Sequence, residues 1–180
     1  IGSGAREHII AEKLSESGST VYSVLTNLNP GLLKLSADYH SITSYNSQDS
    51  QTSILNFAKE NSIDCVVVGP EDPLANGMAD MFWKHAIPVV GPTKQLAQIE
   101  TSKGFTRDLL QKYSIDASPL YQRFKTMNGA SEFIDELRGD YVIKFDGLMG
   151  GKGVKVAGEH IHSKEEALAY CKQIVDGSGT

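Results

Sequence analysis

Long apolar runs are missing from this 180-residue chain: the longest lies around Cys65-Val66-Val67-Val68. That is far below the roughly 20 residues a membrane span needs, so no transmembrane segment is predicted. An excess of positive charge is missing too. Seventeen Lys and Arg stand against 22 Asp and Glu, a net charge of −5, which removes the global basic field that recruits nucleic acid. Cysteine is scarce, and Cys65 and Cys171 lie far apart in no metal or secreted-scaffold spacing, which points to a reducing, cytoplasmic setting. There is no charged-then-apolar leader, internal repeat or low-complexity tract. An initiator Met and a strand before the opening Ile1-Gly2-Ser3-Gly4 loop are lacking as well, and no element follows the last helical pattern to cover it. The expectation is an N-terminal fragment whose first strand lies upstream.

What is present fits globular structure, with 40% hydrophobic and 22% charged residues and length for one ordinary domain or two small ones. Helical spacing runs from Arg6 to Ser17, ending at Gly18, and again over Ser50 to Asn61 and Leu74 to His85. Strands are predicted at Val21 to Leu25, Ile63 to Val68 and Ile87 to Val90. Their alternation argues an α/β fold with a doubly wound parallel sheet, and the unbroken Val66-Val67-Val68 run suits a strand covered on both faces. Ligands on such sheets bind at the carboxyl ends of strands. Three loops leave strand ends there: Gly2-Ser3-Gly4, Gly69 to Pro73 and Gly91-Pro92-Thr93. They are expected to line one crevice. The character changes near residue 100. A helix (Ser102 to Tyr113), a strand at Leu120 to Phe124, a helix (Ser131 to Arg138), a strand (Tyr141 to Phe145), a glycine loop, a strand (Val154 to Ala157) and a helix (Ser163 to Val175) follow. Domains are therefore expected at 1–100 and 101–180.

The strongest chemical signal is Lys144-Phe145-Asp146-Gly147-Leu148-Met149-Gly150-Gly151-Lys152-Gly153-Val154. Glycines let successive N–H groups wrap an anion and lysines supply charge, so a loop between two strands becomes a lid over phosphates. It is not a P-loop, because no Gly-Lys-Ser/Thr opens a helix after it. Composition alone leaves open a flexible glycine hairpin with solvated lysines. Lys144 tips the balance, since a lysine inside an apolar strand needs an anionic partner if buried. Thr101-Ser102-Lys103-Gly104 opens a helix and sets Lys103 in a first turn, where the helix dipole disfavours a cation unless an anion is near. Gly2, Gly4 and Arg6 are suited to a phosphate on a helix N-terminus. The dinucleotide fingerprint fails there: Glu7 stands at its third glycine, and Thr26-Asn27 replace the acid that should end the second strand. Glu71 and Asp72 follow a buried strand in a loop stiffened by Pro70 and Pro73. His8 reads as an ordinary helix histidine, His160 and His162 as a surface turn, and no metal-ligand cluster is apparent.

Taken in order, Gly-Ser-Gly-x-Arg-Glu-His, Val-Gly-Pro-Glu-x-Pro-Leu, Gly-Pro-Thr, Ser-Lys-x-Phe and Lys-x-Asp-Gly-Leu-x-x-Gly-Lys-Gly-Val resemble the glycinamide ribonucleotide synthetase (phosphoribosylamine-glycine ligase) family of the ATP-grasp superfamily. The resemblance implies an N-terminal Rossmann-like, pre-ATP-grasp domain followed by the first part of an ATP-grasp domain with its glycine-rich lid. It implies an ATP-dependent ligase of purine biosynthesis: ATP phosphorylates the glycine carboxylate, and phosphoribosylamine attacks the glycyl phosphate to give glycinamide ribonucleotide, ADP and phosphate. On this likeness Lys103, Lys144, Gly147, Gly150, Gly151, Lys152, Gly153 and Val154 bind ATP, and Gly2, Gly4, Arg6, Glu7, Pro70 and Glu71 bind phosphoribosylamine. Which residues are catalytic is left unassigned. Ligands for Mg²⁺ or Mn²⁺ and the glycine site are expected beyond Thr180, so residues 1–180 alone should not turn over. Two departures stand out. Phe145, Met149 and Gly150 replace the family's usual alanines, and Asn27-Leu28-Asn29-Pro30-Gly31 replaces its Pro-Gly-Asn-Ala-Gly. The competing readings are another ATP-grasp carboxylate-amine ligase, which shares Lys103, Lys144 and the glycine loop but not the opening motif, a non-catalytic nucleotide-binding module, and a dinucleotide oxidoreductase, which Glu7 opposes.

Overall fold

Neighbouring residues of one strand explain the first half of the molecule. In the computed structural model, which describes residues 1–150 and 152–177, β1 (Val21–Leu25) turns Val24 and Leu25 to opposite faces, as the two-residue period of a strand requires. Leu25 packs with Ala11 and Leu32, from α1 (Ala5–Glu16) and α2 (Pro30–Leu35). Val24 belongs to a larger core with Ile54, Leu55 and Ala58 of α3 (Gln48–Glu60) and with Met78 and Phe82 of α5 (Met78–Lys84). Helices therefore cover both faces, the doubly wound arrangement expected.

β1 pairs in parallel with β2 (Ser36–Ser41), and β3 (Val66–Val67) with β4 (Val89–Val90). Ile1 and Gly2 lie between the two pairs. Gly2 N donates to Val24 O at 3.0 Å, the Ile1 amine donates to Val67 O at 2.8 Å, and Gly69 N donates to Ile1 O at 3.0 Å. Behind these residues a cavity of about 700 Å³ runs between β1 and β3, walled by Ile10, Leu14, Ile54 and Phe57.

Several elements depart from the sequence reading. The strand expected over 63–68 shortens to Val66–Val67, and that over 87–90 to Val89–Val90. The helix expected over 74–85 begins earlier and breaks. Gly77 takes φ 82 between α4 (Glu71–Ala75) and α5, a left-handed conformation open to glycine. Glu71 and Asp72 accordingly sit in a helical first turn instead of a loop. Two elements with no apolar period also form: α2, started by Asn29 accepting from Gly31 N (3.0 Å) and Leu32 N (3.4 Å) with Pro30 first in the helix, and β2, mostly exposed. The first compact unit spans Ile1–Gln98.

The second unit begins at Ile99, within α6 (Lys94–Thr101). It contains α7 (Lys103–Lys112), α8 (Ala130–Glu136), β5 (Val142–Lys144), β6 (Val154–Val156) and α9 (Lys164–Gly177). β5 and β6 are antiparallel, Lys144 opposite Val154, so the glycine loop is the turn of a hairpin. Ile134, Ile161 and Ala167 form its small core with Ile143 and Tyr141. The strand expected at 120–124 is absent. Tyr121 and Arg123 instead reach back to Asp108 on α7, at 2.9 and 2.8 Å. Among the described residues no helix is long and apolar enough to cross a membrane.

Candidate functional site

At the start of α1 the sequence places Glu7 three residues after Gly4, and its carboxylate turns back to accept from Gly4 N at 2.7 Å. This satisfies one of the N-terminal donors a helix cannot pair internally. The same carboxylate accepts from Arg6 Nε at 3.0 Å. Arg6 donates from Nη2 to Gly69 O at 2.5 Å and lies 3.8 Å from the Glu71 carboxylate. The opening loop and the segment after β3 are thereby joined by one guanidinium and one carboxylate.

Three glycines make room for Glu7. A Cβ on Gly2 or Gly4 would come within 2.8 Å of its carboxyl atoms, and one on Gly69 within 2.7 Å. Gly2 also takes φ 132, outside the comfortable range of other residues. Pro70, next in line, would be 3.0 Å from that added carbon at Gly2. Gly2, Gly4, Arg6, Glu7, Pro70 and Glu71 thus occupy one corner of the first unit. Gly91, of the expected third loop, packs on Val68 and on Leu74 of α4, the residues that flank Gly69 to Pro73.

Two neighbours of this corner were missed. Asn29 Nδ2 donates to Ser3 O at 3.1 Å, and Gly31 lies against the His8 ring, where a Cβ would be 2.7 Å from Nδ1. The divergent 27–31 segment is therefore packed on the opening loop. An Asn before Pro is a helix-start signal that pointed to Asn29. His8 has ordinary packing against a glycine.

In the second unit, Ser102 caps α7 by accepting from Phe105 N at 3.0 Å. Lys103 Nζ donates to Gly147 O at 2.7 Å, so the first lysine touches the root of the glycine loop. Lys144 is at the end of β5, but its side chain is exposed. The expectation of a buried lysine demanding a partner is corrected: β5 has one covered face, carrying Ile143, and Lys144 falls on the other. Gly150 and Gly153 take φ 55 and 78, and Phe145 N reaches Gly153 O at 3.3 Å across the loop neck. Lys152 N donates to Met149 O at 2.9 Å, and Val154 opens β6. Gly151 lies outside the described residues.

The loop root carries a polar network with little local sequence signal. Asp146 accepts from Ser102 Oγ (3.1 Å), Gly104 N (3.1 Å) and Arg123 Nη2 (3.0 Å). Arg123 also pairs with Asp108, whose carboxyl is held below its usual range by the Tyr121 hydroxyl and by Arg123. Among the described residues no group of three or more His, Cys, Asp or Glu side chains is placed to hold a metal ion. The arrangement brings together N–H groups, ammonium groups and a guanidinium, the donors that anion binding uses.

Two family models match the chain in succession. "Phosphoribosylglycinamide synthetase, N domain" matches residues 1–100, and "Phosphoribosylglycinamide synthetase, ATP-grasp (A) domain" matches residues 101–179. A phosphoribosylamine-glycine ligase of Methanosphaera stadtmanae is 42% identical over 174 residues, covering 97% of this chain and 39% of that protein. One from Methanococcus maripaludis is 44% identical over 183 residues, covering 99% and 40%. The chain thus spans about two fifths of the length of these relatives. Among solved structures, phosphoribosylamine-glycine ligase from Thermotoga maritima aligns at TM-score 0.63 and 27% identity, over 93% of this chain and 36% of that one. The ADP complex of an N5-carboxyaminoimidazole ribonucleotide synthetase aligns at 0.74 and 19% identity, over 94% and 43%, a likeness of fold alone.

Proposed function

Because the chain belongs to the phosphoribosylglycinamide synthetase family, we propose that the protein it comes from joins glycine to 5-phosphoribosylamine with ATP, through a glycyl phosphate, in purine biosynthesis. The observation that carries this reading is the tandem match of two domain models of one family along one chain. Residues 1–100 form the N-terminal domain and 101–180 the start of the ATP-grasp domain with its lid.

The chemistry asks for charge neutralisation and positioning more than for a covalent nucleophile. In this reading Lys103 and Lys144 bind ATP phosphates, and Gly147, Gly150, Gly151, Lys152, Gly153 and Val154 close over them. Lys103 has three N–H bonds; one is used at Gly147 O, which leaves two for an anion. Gly2, Gly4, Arg6, Glu7, Pro70 and Glu71 form the phosphoribosylamine site. Arg6 is the cation for its phosphate, and Glu7 holds that cation in place by accepting from Nε. A divalent cation, Mg²⁺ or Mn²⁺, would neutralise phosphate charge when bound. Its ligands and the glycine site are assigned to residues beyond Thr180, and the setting is cytoplasmic.

The test is ADP release by the intact gene product with Mg-ATP and glycine, with and without phosphoribosylamine generated from ribose 5-phosphate and ammonia. Release that requires both acceptors is the expected result. Release independent of phosphoribosylamine, or none under conditions where ATP binds, overturns the reading.

A further inference from the structure

We infer that Asp146 is a positioning residue that fastens the root of the glycine loop to the N-terminus of α7 and thereby sets Lys103 relative to the loop. The inference rests on the reading of Lys103, Lys144 and the glycine loop as the ATP-phosphate site.

Asp146 stands two residues beyond Lys144, where β5 has ended and the loop begins. Its carboxylate collects donors from three places: the Ser102 hydroxyl at 3.1 and 3.2 Å to its two oxygens, Gly104 N at 3.1 Å, and the Arg123 guanidinium at 3.0 Å. Gly104 N belongs to the first turn of α7, whose N–H groups have no partner within the helix. Ser102 serves one of them from within the chain, at Phe105 N, and Asp146 serves another from 42 residues away. A carboxylate there is favoured by the helix dipole and offsets Lys103, a cation in the turn where cations are disfavoured.

The next residue adds a second point of attachment. Gly147 O accepts from Lys103 Nζ at 2.7 Å. Consecutive loop residues 146 and 147 therefore grip consecutive helix residues 102, 103 and 104. Two adjacent attachments fix orientation as well as distance, so the Lys103 ammonium is presented from a defined place. Arg123 braces the joint from outside. It is tied to Asp108 at 2.8 Å and lies so close to Gly104 that an added Cβ would be 2.7 Å from its Cζ. Beyond this joint Gly150 and Gly153, both at positive φ, shape the loop.

The experiment compares Asp146→Asn, Arg123→Gln, their double variant and Lys144→Ala in the intact gene product, reading KM for ATP, KM for phosphoribosylamine, kcat and Tm. Asn keeps the shape but turns a donor toward Arg123 and removes the charge. Asp146→Asn is expected to raise KM for ATP about tenfold, the scale of one lost charge-assisted hydrogen bond. KM for phosphoribosylamine stays within twofold, and Tm within about 3 °C. Arg123→Gln, the milder probe, keeps the Asp146 bonds to Ser102 and Gly104 N and moves KM for ATP the same way by a smaller factor. The double variant is no worse than Asp146→Asn, because both act on one joint. An unchanged KM for ATP in Asp146→Asn, or an equal fall in affinity for every substrate together with a fallen Tm, overturns the inference. An unchanged KM for ATP in Lys144→Ala instead overturns the reading on which it rests.

Discussion

Replacing Gly69 by Ala puts one carbon where the Glu7 carboxyl now lies, within 2.7 Å of Cδ. Glu7 is only 12% exposed and its direction is fixed by the bond from Gly4 N at 2.7 Å and by Arg6 Nε at 3.0 Å, so moving it breaks both. The capping-type bond is worth about 0.5–2 kcal/mol. The pair with Arg6, itself 57% exposed, adds only about 0.2–1 kcal/mol after solvent screening. Against this, Gly→Ala removes unfolded-state freedom worth about 0.4–1 kcal/mol. Loss wins, by about 1–2 kcal/mol, which for a unit of this size lowers Tm by roughly 5–15 °C. The sole tryptophan, Trp83, lies on α5 in the same unit, so its fluorescence during urea unfolding reports the transition. The decisive comparison is the double variant. Glu7→Ala already forfeits both bonds and vacates the space, so adding Gly69→Ala should change the midpoint by less than about 0.5 kcal/mol. Additive losses, or a Gly69→Ala protein as stable as the parent, refute the argument that Gly69 is glycine because of Glu7.

Three other outcomes are expected. Phe82, 1% exposed in the larger core, should cost about 3–5 kcal/mol when cut to Ala, read as a lower urea midpoint by Trp83 fluorescence. In a chain that begins at Ile1, burial lowers the amine from 8.0 to about 6, so it is neutral when folded at a pH where the unfolded chain protonates it. Stability of the chain with a free amine at Ile1 should therefore be full above pH 8 and fall by up to about 3 kcal/mol as pH drops through 6. An N-acetylated chain should lack that component; identical pH profiles would sink the assignment. Cys65 is exposed whereas Cys171 is half-buried with its thiol pushed up by burial. Iodoacetamide at pH 8 should therefore modify Cys65 about tenfold faster, as mapped by mass spectrometry.

The parts legible in the sequence were those whose cause is local. Val21 to Leu25 is apolar and β-branched enough to be a strand anywhere, and its predicted bounds match. Gly77 was a visible breaker inside the 74–85 pattern, yet amphipathic spacing masked it until the structure showed the left-handed turn. β2 gave no signal because its residues are polar and mostly exposed; it is a strand through pairing with β1. The same holds for the candidate site. The Glu7 return to Gly4 follows from three-residue spacing, whereas Arg123 meets Asp146 across 23 positions and nothing local foretells it. The apolar neighbours of Lys144 suggest a covered strand position, which β5, covered on one face, does not provide.

β2 has a further consequence for how the molecule behaves in company. Its residues, Ser36-Ala37-Asp38-Tyr39-His40-Ser41, pair on one side with β1 and leave backbone donors and acceptors at the sheet margin. Unpaired margins are where chains recruit each other into fibrils. Here an incoming strand meets the Asp38 carboxylate and one large exposed ring, Tyr39, while His40 stacks on Phe57 and bonds Ser53, so there is no continuous apolar stripe to bury and backbone pairing must carry most of the entropy of joining. The polarity that hid this strand from periodicity analysis is also what discourages two copies from zipping together along it.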